Sequence, residues 1–388
     1  MTSEAGSFGT GGERLEKSLR EEWGTLLLWC LVLGCFLGAM AVFHRMTAPR
    51  GVPLGVVFST AQGVRASEMQ TLTLVRAFVA WHNLQGGTPQ FRLEEASYDA
   101  DPSQAVEELA RREVRAVVGF FASASAEAAR HAGERWRIPV VASGASASFF
   151  DRQDDWLFRT RGSTEDDAAA YVTLCRRAGV RNLVVLHFEG NDAYRTAFVR
   201  DMVVQKGPRV LKTLPYLHVM GENFSPLSAG PQSPDGVLVV GPSVPSVWMG
   251  QRARQVWPQA VVLLAPWALV SLTVEEGRLL GEGVLAAEKI APGRADEKHS
   301  FVRFWRERFG ETPLGVVEHN TFLAMQWVLE ALKNAGGGGG EALRRSLAQP
   351  QELWGIGSGT RVDAWGDAHG LLAPLRMDPR GEFQEMEP

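Results

Sequence analysis

The sequence predicts an α/β fold of two doubly wound parallel-sheet lobes, preceded by one N-terminal transmembrane helix. Three observations predict it. From Val52 onward, apolar runs alternate with amphipathic stretches over more than three hundred residues, which is the pattern of strands and crossover helices in parallel sheets. The units are too many for one open sheet of ordinary size, so two similar lobes are the economical arrangement. Ahead of them, Gly24–Phe43 is a run of 20 residues without a charge. As a helix it would be roughly 30 Å long, about one hydrocarbon core.

Residues 1–22 read as a polar tail, 24–43 as the membrane anchor and 44–51 as a linker. Gly38-Ala39-Met40-Ala41 also has the small residues of a signal cleavage site, and Val32-Leu33-Gly34-Cys35 resembles a lipidation site. The apolar run continues for eight residues beyond Cys35, which favours a retained anchor. Val52–Ser59 is strand-like. Ser67 suits a helix N-cap, followed by an apolar stripe at Leu72, Val75, Phe78 and Val79 and a stop at Gly86-Gly87. Phe91–Tyr98 reads as a strand, Asp101–Arg112 as a helix opened by Asp-Pro, Val114–Gly119 as a strand, Ser125–Trp136 as a helix and Ile138–Ala142 as a strand. The cycle restarts with helix Thr164–Ala178, strand Asn182–Phe188, helix Ala193–Val204 and a strand near Val210. Strands at Gly236–Val240 and Ala260–Leu264 flank a helix at Ser246–Val256. A short strand at Val284–Ala287, a helix at Glu297–Phe309, a long helix at Val316–Asn334 and a small helix after Gly336–Gly340 complete the reading. The lobes are expected to comprise 52–160 plus 280–348 and 161–279 plus 349–388.

The residues argue against several kinds of chemistry. Net charge is −4, which gives no footprint for nucleic acid. The eight histidines have no HExxH spacing and no Cys-x-x-Cys occurs, so neither a metal nor another cofactor is expected. The five-glycine run lacks the Lys-Ser/Thr of a phosphate loop. The acids at Asp154-Asp155 and Glu165–Asp167 read as solvated carboxylates at helix starts, and Glu68 as a first-turn carboxylate. No nucleophile elbow or kinase signature is present, so no enzyme activity is expected.

Several stretches carry a resemblance in collinear order. They are GVVFSTAQGVRASEMQTLTLVRAFVAWHNLQGG, VVGFFASASAEA, IPVVASGAS, LFRTRGSTEDDAAAYV, NDAYRTAF, ENFSPLSAG with PDGVLVVG, and FVRFWRERFGETP. Together they resemble the type I periplasmic binding proteins, in the branch for branched-chain amino acids and for urea or short amides. The resemblance implies two lobes joined by hinge crossovers around a ligand cleft. It implies ligand-facing positions at Ser67, Ser123, Ser125, Gly144, Ser146 and Tyr194. Trp267 suits stacking on a ligand or interlobe packing, and the serines also suit helix caps. Where amino-acid binders of this family place a Tyr and an acid for the ammonium group, this chain has GPSVPS (Gly241–Ser246) and APWA (Ala265–Ala268). A neutral or anionic solute is therefore expected over a free α-amino acid, because a buried ammonium without a counter-charge is costly.

The resemblance implies a solute-binding protein anchored in a bacterial inner membrane, single-pass, with its C-terminal domain in the periplasm. Its expected partners are a small polar solute, a membrane permease or sensor complex, and the membrane through residues 24–43. The alternative is a ligand-less interaction module of a cell-envelope assembly on the same fold.

Overall fold

The computed structural model describes Leu33 and residues 51–60, 65–221, 233–270, 272–289, 295–310, 312, 314–370 and 372–386. The expected anchor at 24–43, apart from Leu33, and the ENFSPLSAG stretch lie outside the described residues. No helix among the described residues is long and apolar enough to cross a membrane. The chain divides into two units at Arg50/Gly51, and the following concerns the second.

The first lobe begins with β1 (Val52–Ser59), α1 (Arg65–Leu84), β2 (Phe91–Tyr98), α2 (Pro102–Arg111), β3 (Val117–Gly119), α3 (Ser123–Trp136), β4 (Val140–Ala142) and β5 (Leu157–Arg159). Its five strands are all parallel, in the order β2-β1-β3-β4-β5. The second lobe follows with α4 (Thr164–Arg177), β6 (Asn182–His187), α5 (Asp192–Val204), β7 (Arg209–Pro215), α6 (Tyr216–Val219), β8 (Gly236–Val240), α7 (Ser243–Val256), β9 (Val261–Leu264), α8 (Pro266–Leu269), α9 (Val274–Leu280) and β10 (Leu285–Glu288). The chain then returns to the first lobe as α10 (Ser300–Phe309), α11 (Val316–Asn334), α12 (Glu341–Leu347) and a small sheet of β11 (Gln351–Trp354), β12 (Gly359–Val362) and β13 (Ala368–His369). It crosses a third time, where β14 (Ala373–Met377) adds antiparallel to β10 and β15 (Phe383–Glu385) adds antiparallel to β14. The second sheet runs β15-β14-β10-β9-β8-β6-β7.

The apolar strands are buried on both faces because side chains alternate across a sheet. In the first lobe, Leu54, Val56, Val118 and Val141 pack against α1 and α11. Their neighbours Val57, Val117, Val140 and Ala142 pack with residues of α2 and α3 on the other face. In the second lobe Leu183, Val185, Leu238 and Leu263 face one cluster, and Val184, Leu186, Val239 and Leu264 the other. Asp101 opens α2 as expected, its carboxylate accepting from the Ser103 N–H at 2.9 Å.

The lobe boundaries shift from those expected. The β10 strand, placed with the first lobe, pairs with β9 in the second sheet. The segment after residue 349, placed with the second lobe, first buries Leu353, Ile356 and Val362 in the first-lobe core. A short apolar run such as Leu285–Ala287 fits either sheet, and only its pairing partner decides. The solvated reading of the acids also fails in part. Asp167 is fully buried against Arg161, as described below, while Glu68 is the first-turn carboxylate expected of it and is fully buried too.

Candidate functional site

A cavity lies between the lobes at the C-terminal ends of the parallel strands, where open α/β sheets leave space for ligands. Phe121 follows β3, Gly144 and Ser146 follow β4, and Arg161 follows β5. From the second lobe come Asn191 and Tyr194 at the start of α5, Trp267 after β9, and Glu288 at the end of β10. Val316 and Asn320 reach it from the first turns of α11. The free volume is about 20 Å³, room for roughly one water.

Of the residues expected from the sequence, Gly144, Ser146, Tyr194 and Trp267 line this cavity; Ser67, Ser123 and Ser125 do not. Ser123 stands behind the wall. Its buried hydroxyl accepts from the N–H groups of Ser146 and Ala147, both at 3.2 Å, and so shapes the loop after β4. It does not cap α3, whose N-cap is Ala122. Ser67 is buried within the first turns of α1, which begins two residues earlier at Arg65, so it is not the cap either. Ser125 is half-buried and lies beside the Tyr98 hydroxyl. Gly144 is required by close packing: a Cβ there would stand 2.4 Å from Phe121 Cδ2 and 2.5 Å from its carbonyl oxygen.

Phe121 is held from behind by Glu68, whose Oε1 accepts from the Phe121 N–H at 3.0 Å and from the Tyr98 hydroxyl at 3.3 Å. Burial raises the Glu68 carboxyl to about 7. The preceding residue, Phe120, takes φ 57°, a left-handed conformation that costs a bulky residue on the order of 1–3 kcal/mol. The turn between β3 and α3 is thus strained and anchored at the point where it forms the cavity wall.

Sequence reasoning missed the charged wall. Arg161 Nη2 pairs with Asp167 Oδ1 at 3.0 Å and with Glu288 Oε2 at 3.5 Å. All three are buried. Burial raises both carboxyls, and the two acids hold the guanidinium firmly protonated. Burial and the neighbouring Arg161 charge lower the Lys289 ammonium to about 8, and its Nζ donates to Thr360 Oγ1 at 3.1 Å. An acid therefore does line the cavity, contrary to the expectation drawn from GPSVPS and APWA, but it comes from β10. Two signals mark these residues: Glu288 ends an otherwise apolar strand, and His319-Asn320-Thr321 interrupts the apolar face of α11.

The lobes also meet beside the cavity. The Ser148 and Thr164 hydroxyls both donate to Asp201 Oδ2, at 2.5 and 2.6 Å, and the Thr164 N–H donates to the Ser146 carbonyl at 2.7 Å. The cavity thus brings hydrogen-bonding groups of both lobes to face one another. Among the described residues no three His, Cys, Asp or Glu side chains converge as metal ligands.

No curated protein matches the sequence. Among solved structures, the fold is similar to a leucine binding protein of Thermotoga maritima (TM-score 0.69, 17% identity, 87% of this chain and 98% of that one). It is similar to an ABC-transporter solute binding protein of R. palustris in complex with benzoate (TM-score 0.69, 14% identity, 87% and 95%). It is also similar to a branched-chain amino acid transporter substrate binding protein of Streptococcus pneumoniae in complex with isoleucine (TM-score 0.68, 14% identity, 86% and 98%). The sequence itself matches the family described as periplasmic binding protein over residues 52–372. The chain therefore belongs to the periplasmic binding protein family.

Proposed function

We propose that the chain is an extracytoplasmic solute-binding protein that captures a small polar solute between its lobes and presents it to an ABC-type transporter or a sensor. The carrying observation is the cavity at the strand ends, lined from both lobes by apolar rings and by buried polar atoms with no partner among the described residues. Three chain crossings between the lobes suit opening and closing about a hinge. Two of the similar structures named above are complexes with benzoate and with isoleucine, which sets the size of solute to try first. Residues 24–43 would tether the chain to the inner membrane with the lobes on the periplasmic side. The test is a thermal-shift screen of the full chain against amino acids, amides, urea and small carboxylates. A solute at 100 times its Kd adds about 2.7 kcal/mol, a shift of several degrees for a domain of this size. Silence across the panel from a folded sample would sink the reading.

A second reading has an observation of its own. On the second lobe, Leu217 (76% exposed), Trp248 (47%), Met220 and Val244 form an exposed apolar group, with Tyr216 stacked on Trp248 at 6.4 Å. Exposed apolar clusters of this kind suit protein contacts, so an interaction module of an envelope assembly is the alternative. Trp248→Ala would disrupt partner capture under that reading and leave solute binding untouched.

A further inference from the structure

The α5 helix of the second lobe turns one face toward the first lobe. Tyr194, Ala197 and Asp201 follow one another on it at intervals of three and four residues, the spacing of neighbours on one helix face. Tyr194 lines the cavity. Ala197 is buried in the first-lobe cluster that holds Ala126 and Ala129 of α3 and Phe150. Asp201 is 4% exposed and meets Ser148, from the loop after β4.

Both carboxylate oxygens of Asp201 are occupied. Oδ2 accepts from the Ser148 and Thr164 hydroxyls, and Oδ1 from Arg200 Nε at 3.0 Å and Nη2 at 2.9 Å. The same Nη2 donates to Ser148 Oγ at 2.6 Å. The Thr164 hydroxyl also accepts from the Ser148 N–H at 3.0 Å. Every polar side-chain atom of Asp201, Ser148 and Thr164 thus has a partner, so parting the lobes supplies no hydrogen bond that the closed form lacks.

A solute cannot enter without such parting. The free volume of about 20 Å³ is room for roughly one water, far less than isoleucine or benzoate occupies. Widening the cavity moves Tyr194 away from Ser146. Because Tyr194 and Asp201 share one helix face, the same movement draws Asp201 away from Ser148.

We infer that Asp201 is a positioning residue that, with Ser148, clasps the lobes shut at rest, so that the cleft admits a solute only while this clasp is broken. The apparent affinity for any solute is then reduced by the fraction of molecules in which the clasp is closed. The inference goes beyond the solute-binding reading and does not need it, since the clasp contains no solute. The bland account makes Asp201 a tie between α4 and α5 within the second lobe. It explains the bonds to Thr164 and Arg200, but not the bond to Ser148 or the burial of Ala197 in the first-lobe cluster.

The test is amide hydrogen exchange on the purified full chain without solute, comparing the natural protein with Ser148→Ala and Asp201→Asn. The probes are the Ser148 N–H, which donates to Thr164, and the Thr164 N–H, which donates to the Ser146 carbonyl. Neither substitution removes those acceptors, so faster exchange reports opening of the lobes. Both probes should exchange slowly in the natural chain and at least tenfold faster in each variant, while amides of β1 and β8 keep their rates. Ser148→Ala removes one hydroxyl and carries the test if Asp201→Asn does not fold. Probes that already exchange at the rate of an unstructured segment in the natural chain overturn the inference. So do unchanged probes in Ser148→Ala, or an acceleration confined to α4 and α5 in Asp201→Asn. None of these outcomes bears on whether the cleft binds a solute, which the thermal-shift screen decides separately.

Discussion

Arg161, just past the last strand of the first sheet, and Glu288, at the end of β10 in the second, face each other at 3.5 Å on the wall of the interlobe cavity. The two residues belong to the first and second chain crossings, so one ion pair couples the hinge to the cleft. Glu288→Gln preserves the shape and removes one acid from a cluster in which Asp166, Asp167 and Glu288 surround Arg161 and Lys289. The negative charge around the cleft then falls, and affinity for benzoate relative to benzamide is expected to rise about tenfold, roughly 1.4 kcal/mol. A ratio unchanged from the natural chain would show that the cluster does not set the charge of the solute.

Gly144→Ala should be among the most damaging small substitutions. The added methyl would meet the Phe121 ring and carbonyl at 2.4 and 2.5 Å. The Phe121 backbone is already held through its N–H by Glu68, so its carbonyl cannot retreat easily. Overpacking of this sort costs about 1–3 kcal/mol, read as a fall in melting temperature, together with loss of solute-induced stabilisation.

The Glu68 carboxyl has a folded value near 7 against an ordinary value of 4.5, raised chiefly by burial. Between those two values the folded chain binds the extra proton, so this group's contribution to stability falls as pH rises and is flat above about 7. Glu68→Gln keeps the acceptor for the Phe121 N–H and removes the titration. The variant should therefore gain on the natural chain by up to ~3 kcal/mol as pH goes from 4.5 to 7. Melting curves of both proteins across that range test it, and parallel curves would refute it.

Arg159 is buried with Asp151 at 2.5 Å and Asp367 at 2.5 Å, and its Nη1 donates to the Ala147 carbonyl at 3.2 Å. It fastens the first crossing to the segment leading into the third. Asp367→Ala leaves the guanidinium with one acid and also removes the acceptor of the Arg152 N–H. Loss of one partner from a buried pair costs about 3–5 kcal/mol. Chemical denaturation should show that loss with an unchanged dependence on denaturant.

The two-lobed α/β fold was legible because strands buried on both faces announce themselves as apolar runs. Val52–Ser59, Phe91–Tyr98, Gly236–Val240 and Val316–Asn334 have the bounds expected of them. Three-residue β5 was not legible, nor were β14 and β15, since so few residues carry no period. The cavity residues Gly144, Ser146, Tyr194 and Trp267 could be placed because the stretches around them resemble those of the family. Ser123 could be located but not understood, because its work is on the backbone of a loop more than twenty residues away. Asp167 and Glu288 were hidden for a more general reason. An acid in a sequence looks solvated until the fold supplies its cation, and here Arg161 arrives from the other side of a crossing.

The return of the chain to the first lobe has a consequence for biosynthesis. The sheet of β1 to β5 emerges early, but the α11 helix that covers one of its faces belongs to residues 316–334. The second sheet in turn waits for β14 and β15 near the C-terminus. Neither half can close its core until those later segments have been made. Apolar strand surface is then exposed until β14 and β15 have emerged, which makes the nascent chain a natural client for a holding chaperone.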